Sequence, residues 1–147
     1  MEATHRPIVV VGVEGSDHSM TAVARAIEEA RDRGAELHVV HVCDLAVGLF
    51  YVADSIPVDT AALVKAQREG VWEVVDPALE GLDIPVVKTD VDGYPADKLV
   101  EYCDQKGADL LVLGTRGRGR LASTFLGSTS MRSLEHANCD VLIAKPR

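Results

Sequence analysis

Along this chain the hydrophobic positions alternate between continuous runs and helical spacing. Ile8-Val9-Val10-Val11-Gly12-Val13 is a nearly unbroken β-branched run, which predicts a strand covered on both faces. Gly15-Ser16-Asp17 then turns the chain. Met20, Val23, Ala24, Ile27 and Ala30 recur at helical spacing, with Arg25, Glu28, Glu29 and Arg31 on the outer face. Ser16 or Asp17 can cap that helix and Gly34 can end it. Leu37 to Val42 predicts a second strand, completing a βαβ unit. Asp44 to Pro57 is irregular yet apolar. A helical pattern resumes near Asp59, with Leu63, Ala66, Gly70, Val71, Val74 and Val75 on one side, and Pro77 and Gly81 are expected to close it. Strand three is predicted over Pro85 to Val91, before the turn Asp92-Gly93-Tyr94-Pro95. A third helix uses Leu99, Val100 and Cys103 and stops at Gly107. Leu110 to Gly114 reads as strand four, Ser128 to Ala137 as a fourth helix, and Val141 to Ala144 as a short final strand.

Five strands alternating with helices predict one α/β domain over residues 1–147, a Rossmann-like parallel sheet with helices on both faces. Right-handed crossovers leave few strand orders, and the commonest is 3-2-1-4-5. That order sets strands one and four side by side where the winding reverses, and ligands bind beyond the carboxyl ends of the strands there. The loops leaving those ends are Glu14-Gly15-Ser16 and Gly114 to Gly127.

The formal net charge of −8 disfavours nucleic-acid and anionic-membrane partners. No apolar run approaches the length of a membrane span and Met1 to Pro7 is polar, so the expected address is the cytoplasm. Cys43, Cys103 and Cys139 are far apart and odd in number, which suggests small buried residues rather than a disulfide framework or zinc site. Against this acidic background, Thr115 to Ser133 carries Arg116, Arg118, Arg120 and Arg132 and no carboxylate. Gly114 and Gly117 allow close backbone approach, Gly127 admits an anion to the following helix, and Ser128, Thr129 and Ser130 add hydroxyls to its free amides. These are the requirements of a polyphosphate site. Neither Gly-x4-Gly-Lys-Ser/Thr nor Gly-x-Gly-x2-Gly occurs in the chain, so a P-loop NTPase and an ordinary NAD dehydrogenase lose support.

The spacing Gly-x2-Gly-x9-Gly-Ser, from Gly114 to Ser128, resembles the nucleotide loop of the ATP-binding branch of the universal stress proteins. The resemblance runs along the whole chain. Val9 to Ser16 is similar to the family's opening strand and turn, and Leu37 to Val42 to its second strand with a His-Val ending. Val91 to Ala96 is similar to its Gly-x-Pro-Ala turn, Ala108 to Gly114 to the strand before the loop, and Val141 to Ile143 to the closing strand. The resemblance implies a fold of the adenine-nucleotide alpha-hydrolase type, and a regulatory stress-response module with ATP as cofactor and Mg²⁺ as its candidate companion. By resemblance Gly12, Val13 and Glu14 lie beside adenosine and Val42 lies against adenine. Leu113, Gly114 and Gly117 follow the ribose and first phosphates, while Gly127, Ser128, Thr129 and Ser130 hold the triphosphate tail. Glu14 departs from the family's usual Asp, lengthening the side chain by one methylene. The resemblance also implies a homodimer through the edge strand Val141 to Ala144.

Other polar residues give weaker signals. His38 and His41 are three apart on a strand, so they point to opposite faces and cannot share a metal. His18 lies near the first loop, where it could reach a phosphate or simply meet solvent, and Asp90 and Asp92 end strand three as turn-formers or a Mg²⁺ pair. Trp72 reads as core or interface. No nucleophile elbow appears, no catalytic residue is assigned, and only Glu14, Asp17 and His18 are titratable on the first loop. Charge neutralisation is supplied, but a positioned base and water are not, so efficient hydrolysis is not expected. Two alternatives stay open: a slow ATPase or nucleotidyl-transfer enzyme on this scaffold, and a protein-interaction variant without nucleotide.

Overall fold

The computed structural model describes residues 4–44, 59–116 and 126–147. Its elements are β1 (Ile8–Val13), α1 (Asp17–Arg33), β2 (Glu36–Cys43), α2 (Thr60–Leu79), β3 (Val86–Asp92), α3 (Pro95–Lys106), β4 (Leu110–Gly114), α4 (Ser128–His136) and β5 (Asp140–Ala144). All five strands run parallel in the order β3-β2-β1-β4-β5. Val11 pairs with Val39 on one side and Val112 on the other, which puts β1 at the centre.

The β-branched runs form strands because both pleat faces are covered. Val9, Val11, Val13, Leu37, Val39 and Val112 face α1 and α2 and pack with Val23, Ala26, Val71 and Val75. The alternate residues Val10, Val40, Val42, Leu111 and Leu113 face α3 and meet Leu99, Tyr102 and Cys103. Ser16 caps α1 by accepting the Ser19 amide at 3.2 Å, and Gly34 ends it at φ 61°, a left-handed turn that a side chain would strain. Asp59 caps α2 through the Ala62 amide at 3.2 Å. Burial pushes the Cys43 and Cys103 thiols up, which keeps both protonated as core residues.

Several boundaries differ from the sequence reading, among them α4, which ends at His136 rather than Ala137, and β5, which begins at Asp140 rather than Val141. Pro77 does not close α2: the helix continues to Leu79, because Ala78 and Leu79 pack against the core and offset the one backbone bond that proline cannot make. β2 gains Glu36 and Cys43, whose places in the ladder are set by Ile8 and Asp92. β3 shifts one residue, to Val86–Asp92, in keeping with an edge strand paired only to β2. The irregular stretch Asp44 to Pro57 falls, but for Asp44, outside the described residues.

The two strand histidines occupy opposite faces, each in its own network. His38 Nδ1 lies 2.6 Å from the Tyr102 hydroxyl and its Nε2 lies 2.6 Å from Glu36 Oε1, on the α3 side. His41 is wholly buried beneath α2, with Nδ1 2.9 Å from Asp90 Oδ1. The Trp72 indole donates to both oxygens of the same carboxylate, at 3.1 and 3.0 Å. One carboxylate thereby ties β2, β3 and α2 together. Asp90→Ala leaves a buried imidazole and an indole N–H without their partner, and should lower stability by about 1–3 kcal/mol in urea unfolding followed by Trp72 fluorescence.

Candidate functional site

The geometry of the switch point starts from Gly114, the last residue of β4. A Cβ added there would run into the His18 carbonyl, 2.7 Å from its carbon, and would sit 3.1 Å from His18 Cβ. The missing side chain therefore makes room for the first turn of α1. The same residue is held from the other side, where the Ser130 hydroxyl donates to the Gly114 carbonyl at 2.8 Å. One residue on, the Gly127 amide donates to the Thr115 carbonyl at 2.8 Å, and the Thr115 hydroxyl lies 3.2 Å from His18 Nδ1. Gly114 and Thr115 are thus clasped between the N-termini of α1 and α4.

The two helix starts differ in how their free amides are satisfied. At α1 the protein provides its own acceptors. Ser19 Oγ accepts the Gly15 amide at 3.1 Å, with the Glu14 amide at 3.5 Å, and donates to the Ser16 carbonyl at 3.0 Å. Glu14 Oε1 accepts the Ser16 amide at 3.1 Å and the Ser16 hydroxyl, while Oε2 is sealed off without a partner. The glutamate, one methylene longer than aspartate, thus curls back onto its own turn. Gly15 takes φ 88°, which the turn demands and glycine permits. At α4 the N-cap is Gly127, with no side-chain cap and no acidic residue in the first turn. Its first amides are the unsatisfied donors of a helix N-terminus, with Ser128 exposed and Thr129 half-buried beside them.

The structure brings together most of the sequence-predicted site. Gly12, Val13, Glu14, Leu113, Gly114, Gly127, Ser128, Thr129 and Ser130 all lie at the adjoining ends of β1 and β4 and the start of α4. Gly12 owes its lack of a Cβ to close packing, since one would lie 2.8 Å from Leu99 and 2.9 Å from Leu113. Val42 sits at the end of the neighbouring β2, where the Gly93 amide donates to the Cys43 carbonyl at 3.0 Å. Ser130 is buried and its hydroxyl hydrogen is already committed to Gly114, which leaves Ser128 and Thr129 as the outward hydroxyls. Gly117, with Arg118 and Arg120, lies outside the described residues. Arg132 is paired with Asp97 at 2.8 Å.

Two clefts flank this junction. One of about 550 Å³ opens past β2 and β3, between Asp44, Asp92 and the Leu63, Val64, Gln67 and Arg68 side of α2. The other, about 580 Å³, runs between α1 and β5. Asp90 and Asp92 are each engaged within the protein: the first serves His41 and Trp72, and the second takes the Arg68 guanidinium at 2.7 Å. Among the described residues no group of three His, Cys, Asp or Glu could hold a metal ion. Sequence reasoning missed the His18–Thr115 contact and the Ser19 staple; of the two, only the Ser16-x2-Ser19 spacing was a usable local signal.

The parallel sheet in the order β3-β2-β1-β4-β5, with helices on both faces, defines a doubly wound α/β domain. The sequence matches the universal stress protein family over residues 6–145, and the chain belongs to that family. It is 30% identical over 137 residues to universal stress protein MJ0531 of Methanocaldococcus jannaschii, covering 93% of this chain and 81% of that protein. It is 38% identical over 146 residues to universal stress protein Rv2005c of Mycobacterium tuberculosis, and spans 46% of that protein's length. A solved universal stress protein in complex with cAMP superposes with a TM-score of 0.60 at 30% identity, covering 94% of this chain and 95% of that one. Gly114→Ala should force the first turn of α1 away from β4 and lower stability by about 1–3 kcal/mol, read as a fall in thermal midpoint without ligand.

Proposed function

We propose that this chain is an adenine-nucleotide-binding regulatory domain that takes ATP at the β1–β4 junction. The observation that carries this reading is the uncapped, carboxylate-free start of α4, docked through Gly127 and Ser130 onto the end of β4. Amides at a helix N-terminus, beside the outward hydroxyls of Ser128 and Thr129, suit phosphate oxygens. The cAMP complex of the 30%-identical relative supports an adenine nucleotide as the ligand class. Gly12, Val13, Glu14 and Val42 would frame the nucleoside, with Leu113, Gly114 and Gly117 along the ribose and first phosphates. Gly127, Ser128, Thr129 and Ser130 would form the phosphate end. Mg²⁺ would ride on the phosphate oxygens, since no cluster of three ligating side chains stands ready among the described residues.

Regulation rather than turnover fits this site. Glu14 is engaged with Ser16 and is poorly placed as a base. The same proposal includes a homodimer, supported by β5 lying at the sheet edge with its outer ladder unpaired among the described residues. It also includes a cytoplasmic address; no helix among the described residues is long and apolar enough to cross a membrane.

Calorimetric titration with ATP, AMP and cAMP tests the ligand class, and native mass spectrometry of freshly purified protein reports any nucleotide carried through. Ser128→Glu places a carboxylate where the phosphates would lie. It should weaken binding of phosphorylated adenosine by about tenfold or more, while the helix-dipole interaction leaves the thermal midpoint equal or higher. Unchanged affinity in that variant would remove the phosphates from α4.

A further inference from the structure

We propose that His18 is the proton-sensitive phosphate contact of this site, making the affinity for phosphorylated adenosine rise as pH falls. The inference rests on the nucleotide reading above and adds a residue that nothing in the glycine-rich loop pattern specifies. His18 is the second residue of α1, and its backbone packs directly on Gly114. Its Nδ1 meets the Thr115 hydroxyl at 3.2 Å. Its Nε2 makes no hydrogen bond to another described residue, and the residue is half-buried. On the far side of the same dipeptide, Gly127 and Ser130 bring the first turn of α4 onto Thr115 and Gly114. The imidazole and the first turn of α4 therefore both contact the Gly114–Thr115 dipeptide.

The charged groups nearest the imidazole lie on two segments. Its own turn contributes Asp17 and Glu14, the latter folded onto Ser16. The segment after β4 contributes Arg116, and α2 meets the turn through Val71 against Gly15. The first turn of α4 carries no acidic residue. A phosphate docked on α4 would thus be a strong negative charge newly brought beside His18, well within a Debye length. Histidine is the side chain whose charge changes between about pH 5 and 8. An anion that binds the imidazolium form more tightly must draw a proton in with it, so binding strengthens on acidification.

The test is calorimetry with AMP and with adenosine, from about pH 8 to about pH 6, in two buffers of different ionisation enthalpy. Protonation of the AMP phosphate is common to every variant and cancels when variants are compared. The ratio of wild-type to His18→Gln affinity for AMP should rise about threefold to tenfold across that range, with more protons taken up on binding by the wild type than by His18→Gln. Adenosine should show no such rise. His18→Lys should hold the acid-form affinity for AMP up to pH 8, and His136→Gln, at the other end of α4, should keep the wild-type profile. The inference is overturned if His18→Gln tracks the wild type at every pH, or if adenosine shows the same slope as AMP. Failure of the wild type to bind either ligand at any pH would overturn the nucleotide reading itself.

Discussion

The close seat of α1 on Gly114 is the constraint from which the rest of the site follows. Because no side chain separates the end of β4 from the His18 carbonyl, the start of α1 lies against the strand that leads into the glycine-rich loop. Ser130 and Gly127 then fasten α4 to the same two residues. The first turns of both helices thus meet the same dipeptide, one by packing and the other by hydrogen bonds. A larger residue at 114 would separate them.

The two helix starts have different roles. The turn before α1 is closed on itself by Ser16, Ser19 and Glu14, and the glutamate supplies the negative charge that a helix N-terminus attracts. α4 begins on a glycine with no such partner. In a chain of net charge −8, the stretch from Thr115 to Ser133 carries no carboxylate and leads into a helix start with no side-chain cap. Away from the junction, the His41–Asp90–Trp72 and His38–Tyr102 networks fix β2 against α2 and α3. That places the β2 end, with Val42, beside the junction.

Most of the architecture was legible because burial on both faces writes itself into long apolar runs: Ile8–Val13 and Leu110–Gly114 have the same bounds in sequence and structure. The strand order followed from crossover handedness. Pro77 misled, because a proline's local penalty says nothing about the contacts Ala78 and Leu79 make further on. Gly114 was legible as a place that excludes a Cβ, but not as to why. A glycine pattern cannot tell a ligand's approach from that of another helix. The His41 partner lies 49 residues away in Asp90 and the Thr115 partner 97 residues away in His18, separations at which no local periodicity reports contact.

The most direct measurement is the amide spectrum of ¹⁵N-labelled protein titrated with AMP. Large shifts should appear first at the amides of Ser128, Thr129 and Ser130, then at Gly114, Thr115 and the Glu14–His18 turn, with the α2–β3 cleft little affected. Shifts confined to Leu63–Arg68 and Asp92, with the α4 amides unmoved, would contradict phosphate binding at the junction.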